Sequence, residues 1–296
     1  MGLIGTVSLI AAHPLNRGRR MAGIARYIGW QIGARLVPGP VAVEFVNGAL
    51  LLARPGPTGA IGNVYVGLHE FNDMAFVLHL LRPGDLFVDA GANIGSYTVL
   101  AAAAVGARCM AFEPDPAAFG WLMKNVGLNG VGSRIEARCE ALGSAAGTLA
   151  FTVGLDAVNH VVAGGAEAPV ATTRTVPVTT LDAALAGRIP MMIKIDVEGY
   201  ETEVIAGAAA TLDHPSLRAV LVELLGAGDR YGFDESRLRQ RMAHSGFEEC
   251  SYSPLSRRLS PRTREAGNNV LFVRDRRFVE ERLAEAPPFT VLGKTV

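Results

Sequence analysis

Four acidic residues each stand at or beside the end of a short apolar run, where a buried strand would end. These residues are Asp89, Glu113, Asp196 and Glu223. The carboxyl ends of parallel strands meet at one edge of a sheet, and ligands bind there, so we expect these side chains to gather. Lys194 precedes Asp196 by two residues and should share its face of the strand. Buried carboxylates and an ammonium group must pair or bind something, so this edge is the predicted site.

A glycine turn follows the first of these runs and points to a nucleotide-like cofactor. The segment Asp89-Ala-Gly-Ala-Asn-Ile-Gly95 joins the apolar run Leu86–Ala90 to a helical pattern. Glycines at such a turn let backbone N–H groups approach a ligand closely. Glu113 lies 22 positions beyond Gly91, about where a carboxylate accepts both ribose hydroxyls of an adenosine. The third glycine of the dinucleotide fingerprint is missing, which favours a cofactor with an amino-acid tail over NAD.

Strands that alternate with helices after residue 82 predict an α/β fold with a mostly parallel, three-layer sheet. Its last two strands, near 247–252 and 269–273, have no helix between them and should be antiparallel. We expect a hairpin inserted at 147–178, a short helix capped by Asp182, and one crossover helix over 198–212. The predicted domains are a cap (1–82), a cofactor-binding domain (83–275) and a C-terminal tail (276–296).

The cap should contain a helix over 17–36, a hairpin around Asn47-Gly48 and a helix over 68–81. Asn-Gly between alternating apolar residues is a strong hairpin signal. The first helix is basic and amphipathic, a pattern that suits either a membrane surface or packing on the main domain. We favour packing on the main domain and expect no stable membrane insertion.

Composition narrows the class of protein. The chain of 296 residues has 49% hydrophobic residues and a formal net charge of zero, which argues against a general nucleic-acid binder. The three cysteines are far apart, as expected for reduced thiols in a cytoplasmic protein. The sequence is compatible with a homo-oligomer.

Four sequence blocks together resemble the FkbM family of S-adenosylmethionine (SAM)-dependent methyltransferases. They are the glycine turn, Phe112-Glu-Pro-Asp-Pro116, Leu181-Asp182 and Ile193-Lys-Ile-Asp-Val-Glu-Gly-Tyr-Glu201. Glu223 and Asn268-Asn269 fit the same family, and the likeness covers about residues 65–273. The resemblance implies a Rossmann-like sheet, SAM as cofactor and O-methylation, commonly of a sugar or natural-product hydroxyl. It does not imply which small molecule is the acceptor.

Within this resemblance the site residues receive predicted roles. Asp89 orients the glycine turn and the SAM amino group, Glu113 with Pro114 holds the ribose, and Asp196 lines the methyl-transfer site. Tyr65 and Glu70 are expected to close over the cofactor. The remaining predicted cofactor residues are Gly91, Ala92, Asn93 and Gly95 in the turn, and Cys139, Glu140 and Ala141 beside the adenine.

Methyl transfer to a hydroxyl needs alignment and a base that removes the proton. His160, in a polar loop beside Asn159, is the first candidate base, and Glu223 is the alternative. Magnesium held by Asp196, Glu198 and Glu223 is a further alternative, which the charge of Lys194 disfavours.

Acceptor binding is predicted for a set of polar residues around this edge. An arginine-rich loop before the last strand could recognise an anionic acceptor, although a solvated basic loop is also compatible with it. The predicted acceptor-binding residues are Asn159, His160, Lys194, Glu198, Arg257 and Arg258. Two other readings compete: an NAD-dependent oxidoreductase, and a non-catalytic scaffold with the SAM-binding fold.

Overall fold

The computed structural model describes residues 3–36, 39–54, 61–152, 160–161, 173–224, 226–262 and 268–296. Before the main sheet come α1 (Leu3–Ala12), α2 (Arg20–Leu36), β1 (Val41–Glu44), β2 (Leu50–Ala53), α3 (Ile61–Val66) and α4 (Phe71–Leu80). The next elements are β3 (Leu86–Ala90), α5 (Ser96–Val99, continued by a π-helical turn to Val105), β4 (Arg108–Phe112), α6 (Pro116–Leu128), β5 (Ile135–Arg138), β6 (Ala141–Leu142), β7 (Gly147–Thr152), β8 (Thr173–Thr179) and α7 (Leu181–Leu185). The last are β9 (Met192–Ile195), α8 (Glu201–Ala206), α9 (Ala209–Asp213), β10 (Ala219–Glu223), α10 (Glu235–His244), β11 (Glu248–Ser253), β12 (Arg258–Pro261), β13 (Asn269–Val273), α11 (Arg276–Ala284), β14 (Thr290–Val291) and β15 (Lys294–Thr295).

Eight strands form the central sheet, in the order β12-β11-β13-β10-β9-β3-β4-β5. Neighbours from β10 to β5 are parallel, whereas β13 is antiparallel to both β10 and β11. This confirms the predicted α/β class with an antiparallel final strand. Register places Asp89 of β3 beside Lys194 of β9, so the sheet itself brings two of the predicted charges together.

Two apolar cores lie on the two faces of the sheet, which gives the three layers. Side chains from α4, α5, α6 and α11 pack on one face, and those from α7, α8, α9 and α10 pack on the other. Every residue of β3 is buried, because both faces of this strand are covered. The carboxyl ends of β3, β4, β9 and β10 therefore open towards one edge.

The hairpin β1-β2 packs into the core that α4, α5, α6 and α11 form on one face of the sheet, and α6 holds it in place. Asn47 and Gly48 both have positive φ, 50° and 79°, as a tight hairpin turn requires. The buried Asn125 accepts a hydrogen bond from the N–H of Leu52 (2.7 Å) and donates one to the carbonyl of Ile94 (2.8 Å). One asparagine thus ties the N-terminal hairpin to the loop that follows β3.

Beside the central sheet, β6, β7 and β8 form a three-stranded sheet with the order β6-β8-β7. The predicted hairpin 147–178 corresponds to β7 and β8, which are antiparallel over Gly147–Thr152. Its connecting loop lies mostly outside the described residues.

The predicted crossover helix over 198–212 is wrong, because the structure has two shorter helices, α8 and α9. A Cβ at Gly207 would lie 2.0 Å from the carbonyl oxygen of Gly143, so this close approach interrupts the helix. The predicted cap is also wrong. Thr180 caps α7, while Asp182 accepts hydrogen bonds from the N–H groups of Ala210 and Thr211 at the start of α9.

Other elements differ in extent. The helix predicted over 68–81 is α4, and the segment predicted only as a tail contains α11, β14 and β15. The edge strand β12 and the apolar helix α1 were not predicted. Among the described residues no helix is both long enough and apolar enough to cross a membrane.

Replacing Asn125 by alanine should lower the free energy of unfolding by about 2–4 kcal/mol. The reason is that two backbone groups, the Leu52 N–H and the Ile94 carbonyl, would lose their partner in a buried place. Chemical denaturation followed by circular dichroism measures the change. Asn72→Ala, at an exposed position of α4, is the control and should shift the value by less than about 0.5 kcal/mol. Equal stability of the two variants would contradict this role of Asn125.

Candidate active site

A cavity of about 280 Å³ opens at the carboxyl edge of β3, β4, β9 and β10. That volume is near the lower end of the range for small-molecule sites. The predicted site residues that line it are Glu70, Gly91, Ala92, Asn93, Glu113, Pro114, Glu140, Ala141, Lys194, Asp196, Glu198 and Glu223. The strand ends therefore bring most of the predicted residues to one place.

The glycine turn is shaped by close backbone contacts. Gly91 has φ of 77°, and a Cβ there would lie 1.8 Å from the carbonyl oxygen of Asp196. Gly95 has φ of 89°, and its Cβ would lie 2.5 Å from Leu122 Cδ1. Both glycines are needed because β9 and α6 press against the turn, and any side chain would push them apart.

Glu113 fixes the turn from the end of β4. Its carboxylate accepts hydrogen bonds from the N–H groups of Asn93 and Asp115, each 2.8 Å long. Only 7% of the residue is exposed, and burial raises the pKa of Glu113 to about 7 in spite of these two donors. Asn93 itself has φ of 51°, a conformation that asparagine tolerates better than most residues.

Asp89 lies behind the turn and not on the cavity wall. Its Oδ2 accepts a hydrogen bond from Thr98 Oγ1 (2.6 Å), while Oδ1 has no hydrogen-bond partner among the described residues. Burial raises the pKa of Asp89, and the ammonium group of Lys194 opposes that shift. The side chain is anchored through Thr98, and its Oδ1 is a buried acceptor without a partner in the described part of the chain.

Lys194 is the central charge of the site. It is 4% exposed, and Nζ lies 2.9 Å from Asp196 Oδ2 and 4.9 Å from the ring centroid of Tyr97. Burial alone would lower the pKa of Lys194, but the carboxylates of Asp196, Asp89 and Glu70 outweigh it and raise the pKa. The lysine therefore stays charged at any physiological pH.

Asp196 and Glu223 form a hydrogen-bonded carboxyl pair on the cavity wall. Burial raises the pKa of Asp196, but Lys194 and the hydrogen bond with Glu223 lower it below its ordinary value. Burial, followed by the charge of Asp196, raises the pKa of Glu223 to about 9. At neutral pH the pair thus holds one proton, on Glu223, and one negative charge, on Asp196.

Glu198 completes an acidic trio. Ligand oxygens of Asp196, Glu198 and Glu223 lie within 4.8 Å of one another, a spacing that one divalent cation can bridge. The Lys194 ammonium and the proton on Glu223 already neutralise part of this charge. Magnesium therefore remains the less favoured alternative to a side-chain base.

A polar network on the other side of Lys194 includes residues that the sequence did not single out. Glu70 accepts hydrogen bonds from the Tyr97 hydroxyl (2.8 Å) and from Asn269 Nδ2 (2.9 Å). The same amide group donates to Asp73 (2.8 Å), and burial raises the pKa of Asp73 to about 6. Of these four residues, the sequence pointed to Glu70, as a residue that closes over the cofactor, and to Asn269, as part of the family resemblance, but to neither Tyr97 nor Asp73.

The far wall of the cavity is more apolar. Glu140 and Ala141 line it together with Phe151, Val161 and Tyr200 from the inserted segment and the loop after β9. Cys139 faces away, and its Sγ contacts the carbonyl of Pro114 (3.9 Å). Sequence periodicity carried no signal for Tyr200 or Phe151, because their neighbours in space are distant in the chain.

Several predicted residues lie outside the cavity wall. The hydroxyl of Tyr65 accepts a hydrogen bond from Gln31 of α2 (3.1 Å), so this side chain points to the N-terminal helices and not to the cofactor site. Arg257 donates to the carbonyls of Ala284 and Ala286. It holds the segment after α11, which corrects its expected role in acceptor binding, and Arg258 is likewise not among the lining residues.

His160 is paired through its backbone with Thr152, by the bonds from His160 N to Oγ1 (2.8 Å) and from Thr152 N to the His160 carbonyl (2.9 Å). It is adjacent to the lining residue Val161 but is not itself among the lining residues. Asn159 lies outside the described residues. The base assignment to His160 stays a prediction.

Comparison with known proteins gives a family and several distant likenesses. The Methyltransferase FkbM domain matches residues 89–253, which is more than half of the chain. A curated relative, methyltransferase sdnD from Sordaria araneosa, is 36% identical over 83 residues, covering 28% of this chain and 32% of that protein.

Solved structures with a likeness to this chain share little sequence with it. A TehB-like SAM-dependent methyltransferase from Corynebacterium glutamicum is 10% identical, with a TM-score of 0.40, covering 69% of this chain and 88% of the other. The C-terminal domain of precorrin-6Y C5,15-methyltransferase from Rhodobacter capsulatus is 18% identical, with a TM-score of 0.38 and coverage of 69% and 87%. With the domain match at 89–253, this chain is a member of the FkbM family of methyltransferases.

Proposed function

We propose that the protein transfers a methyl group from SAM to a hydroxyl of a small molecule. The observation that carries this proposal is the carboxyl pair of Asp196 and Glu223 on the cavity wall, beside Lys194. A carboxylate that accepts the hydrogen bond of a hydroxyl can also take its proton, and a neighbouring charged carboxylate can hold that group in place.

The residues of the cavity fit SAM in chemistry. Glu113 has the acceptor oxygens for ribose hydroxyls, and Asp89 Oδ1 is a buried acceptor without a partner among the described residues. The N–H groups and small side chains of the glycine turn leave room beside them. When bound, SAM would supply an electrophilic methyl group, and the bond from that methyl to sulfur would break as the bond to the acceptor oxygen forms.

Asp196, Glu223 and Lys194 have different roles towards the acceptor. Asp196, ionised at neutral pH and hydrogen-bonded to Glu223, holds the Glu223 carboxyl group in place beside the acceptor oxygen. Glu223, once ionised, receives the hydroxyl proton as the acceptor oxygen forms its new bond to carbon. Lys194 keeps Asp196 ionised throughout, since its own pKa is raised by three surrounding carboxylates.

The acceptor class follows from the two sides of the cavity. Carboxylates on one side suit hydroxyl donors, and Phe151, Val161 and Tyr200 on the other suit an apolar or ring face. A sugar or another polyhydroxylated natural product has both kinds of surface. Asn159, His160 and Glu198 remain proposed acceptor contacts.

We also propose that the protein acts in the cytoplasm. All three cysteines, Cys109, Cys139 and Cys250, are free thiols, and two of them are buried in strands. Buried reduced thiols are typical of a reducing compartment.

Replacing Glu113 by alanine should weaken SAM binding by about 1–3 kcal/mol, because ribose hydroxyls would lose a buried acceptor. Isothermal titration calorimetry of the purified variant measures this change. Glu136→Gln, on a surface ion pair with Arg138 and Arg188, is the control and should bind SAM as the wild type does. Unchanged affinity in Glu113→Ala would remove the ribose assignment.

Turnover should rise with pH through about 9 if Glu223 is the base. Its raised pKa means that the carboxyl is protonated below that pH and becomes able to accept a proton above it. Glu223→Gln should lose this rise and lower kcat by about 10²-fold or more, with SAM affinity intact. The pH profile of kcat for both proteins, measured by SAM consumption with an acceptor, checks the expectation.

Two further measurements distinguish Glu223 as the base from His160 and from a bound metal. His160→Ala should keep the kcat of the wild type and change only the KM for the acceptor, and turnover should survive EDTA. Loss of turnover in His160→Ala with an unchanged profile in Glu223→Gln would assign the base to the histidine. Loss in EDTA with recovery on adding Mg²⁺ would assign the acidic trio to a metal.

A further inference from the structure

Exposed apolar side chains are concentrated in the N-terminal helices. Among the residues that the structure describes, six of the nine large exposed hydrophobic ones fall between Leu9 and Val41. Four of them, Met21, Ile28, Ile32 and Leu36, lie on α2 and are 76%, 50%, 52% and 74% exposed. Their spacing of seven, four and four residues puts them on one face of the helix. We call these four residues the outer face of α2.

An apolar groove of about 600 Å³ continues this surface into the body of the protein. It lies between α2 and the hairpin β1-β2, and its walls include Gly29, Trp30, Gly33, Val41, Val43 and Val64. Gly29 is exposed at the rim, next to the outer face of α2. The apolar surface therefore extends from the helix into a recess.

The same segment is strongly basic in a chain that is neutral overall. Residues 1–43 contain five arginines and no aspartate or glutamate, whereas the whole chain has a net charge of zero. Arg17, Arg19, Arg20 and Arg35 are exposed at the two ends of α2. Arg19 and Arg20 stand at the helix N-terminus, where the helix dipole disfavours positive charge, so helix stability does not explain them.

We propose that the outer face of α2, with the adjoining groove, is a docking surface for an anionic lipid bilayer. Met21 and Leu36 are 15 residues apart, which is about 22 Å along a helix, with arginines flanking both ends. A helix of this type lies in the plane of the interface, its apolar side chains below the headgroups and its arginines at the lipid phosphates.

Charge complementarity favours a bilayer over a second copy of this chain. Two copies joined through the outer face of α2 would bring the five arginines of residues 1–43 of each copy together, and the groove offers one acidic group, Glu44, to offset them. A bilayer supplies both acyl chains for the apolar side chains and phosphates for the arginines. The apolar groups are also spread along one helix face and do not form a single deep anchor.

The docking surface lies close to the active cavity. The short helix α3 contributes Asn63 to the cavity wall and Val64 to the groove, so one layer of side chains separates them. Docking would hold the cavity near the headgroup region of the bilayer.

Vesicle flotation of the full chain tests the proposal without any need for turnover. The wild type should float with vesicles of equimolar phosphatidylcholine and phosphatidylglycerol, much less with phosphatidylcholine alone, and less as salt rises. Arg19→Gln with Arg20→Gln should lower the partition coefficient about 30-fold, from about 1 kcal/mol per arginine. Ile28→Gln with Ile32→Gln should lower it at least about tenfold, at unchanged charge.

Matched variants elsewhere on the surface keep the test specific. Met123→Gln with Leu255→Gln removes two exposed apolar residues, 44% and 67% exposed, and Arg237→Gln with Arg277→Gln removes two exposed arginines. Both control proteins should float as the wild type does, and circular dichroism should show every variant folded.

Three results would overturn the proposal. One is a wild type that does not float with the anionic vesicles, and another is equal flotation of the test and control variants. The third is self-association in sedimentation that disappears in Ile28→Gln with Ile32→Gln while vesicles leave the protein behind, since this would make the face an interface between copies.

Discussion

The buried ammonium group of Lys194 is the interaction on which the site depends. Sheet register sets it beside Asp89, and its Nζ lies 2.9 Å from Asp196 Oδ2. An unpaired buried charge would cost several kcal/mol, so lysine and carboxylates require one another. Because the lysine holds Asp196 ionised, the extra proton of the acidic pair resides on Glu223, and the two carboxyl groups acquire different roles. Glu70, which accepts a hydrogen bond from Tyr97, is a third carboxylate that stabilises the charged form of Lys194.

A second constraint is the contact between the glycine turn and β9. Gly91 lies so close to the carbonyl of Asp196 that a Cβ would be 1.8 Å away. The turn that would receive the cofactor is therefore in direct contact with the segment that carries Asp196, the residue after β9. Asn125 extends this connection to the N-terminal hairpin, through its bonds to Ile94 and Leu52.

Local patterns were sufficient to predict the sheet and the acidic edge. Asp89, Glu113, Asp196 and Glu223 each end a short apolar run, and the parallel sheet brings such ends together whatever the loops do. Local patterns were insufficient where a contact between distant residues decides the structure. The interruption between α8 and α9 lies at Gly207, where the carbonyl of Gly143 leaves no room for a Cβ. Asp182 accepts a hydrogen bond from the first turn of α9 and does not cap its own helix. Asp73 joins the polar network of the site through its hydrogen bond with Asn269. Tyr65 and Arg257 were assigned to the site from their place in the chain, but their partners are Gln31 and the C-terminal segment.

The most direct test of the account is calorimetric titration of the purified protein with SAM and, separately, with NADH. The fold alone does not separate these cofactors, since both bind at the carboxyl edge of such sheets. The glycine turn, Glu113 and the free oxygen of Asp89 predict saturable binding of SAM and no heat from NADH. Binding of NADH without binding of SAM would contradict the assignment of the cavity.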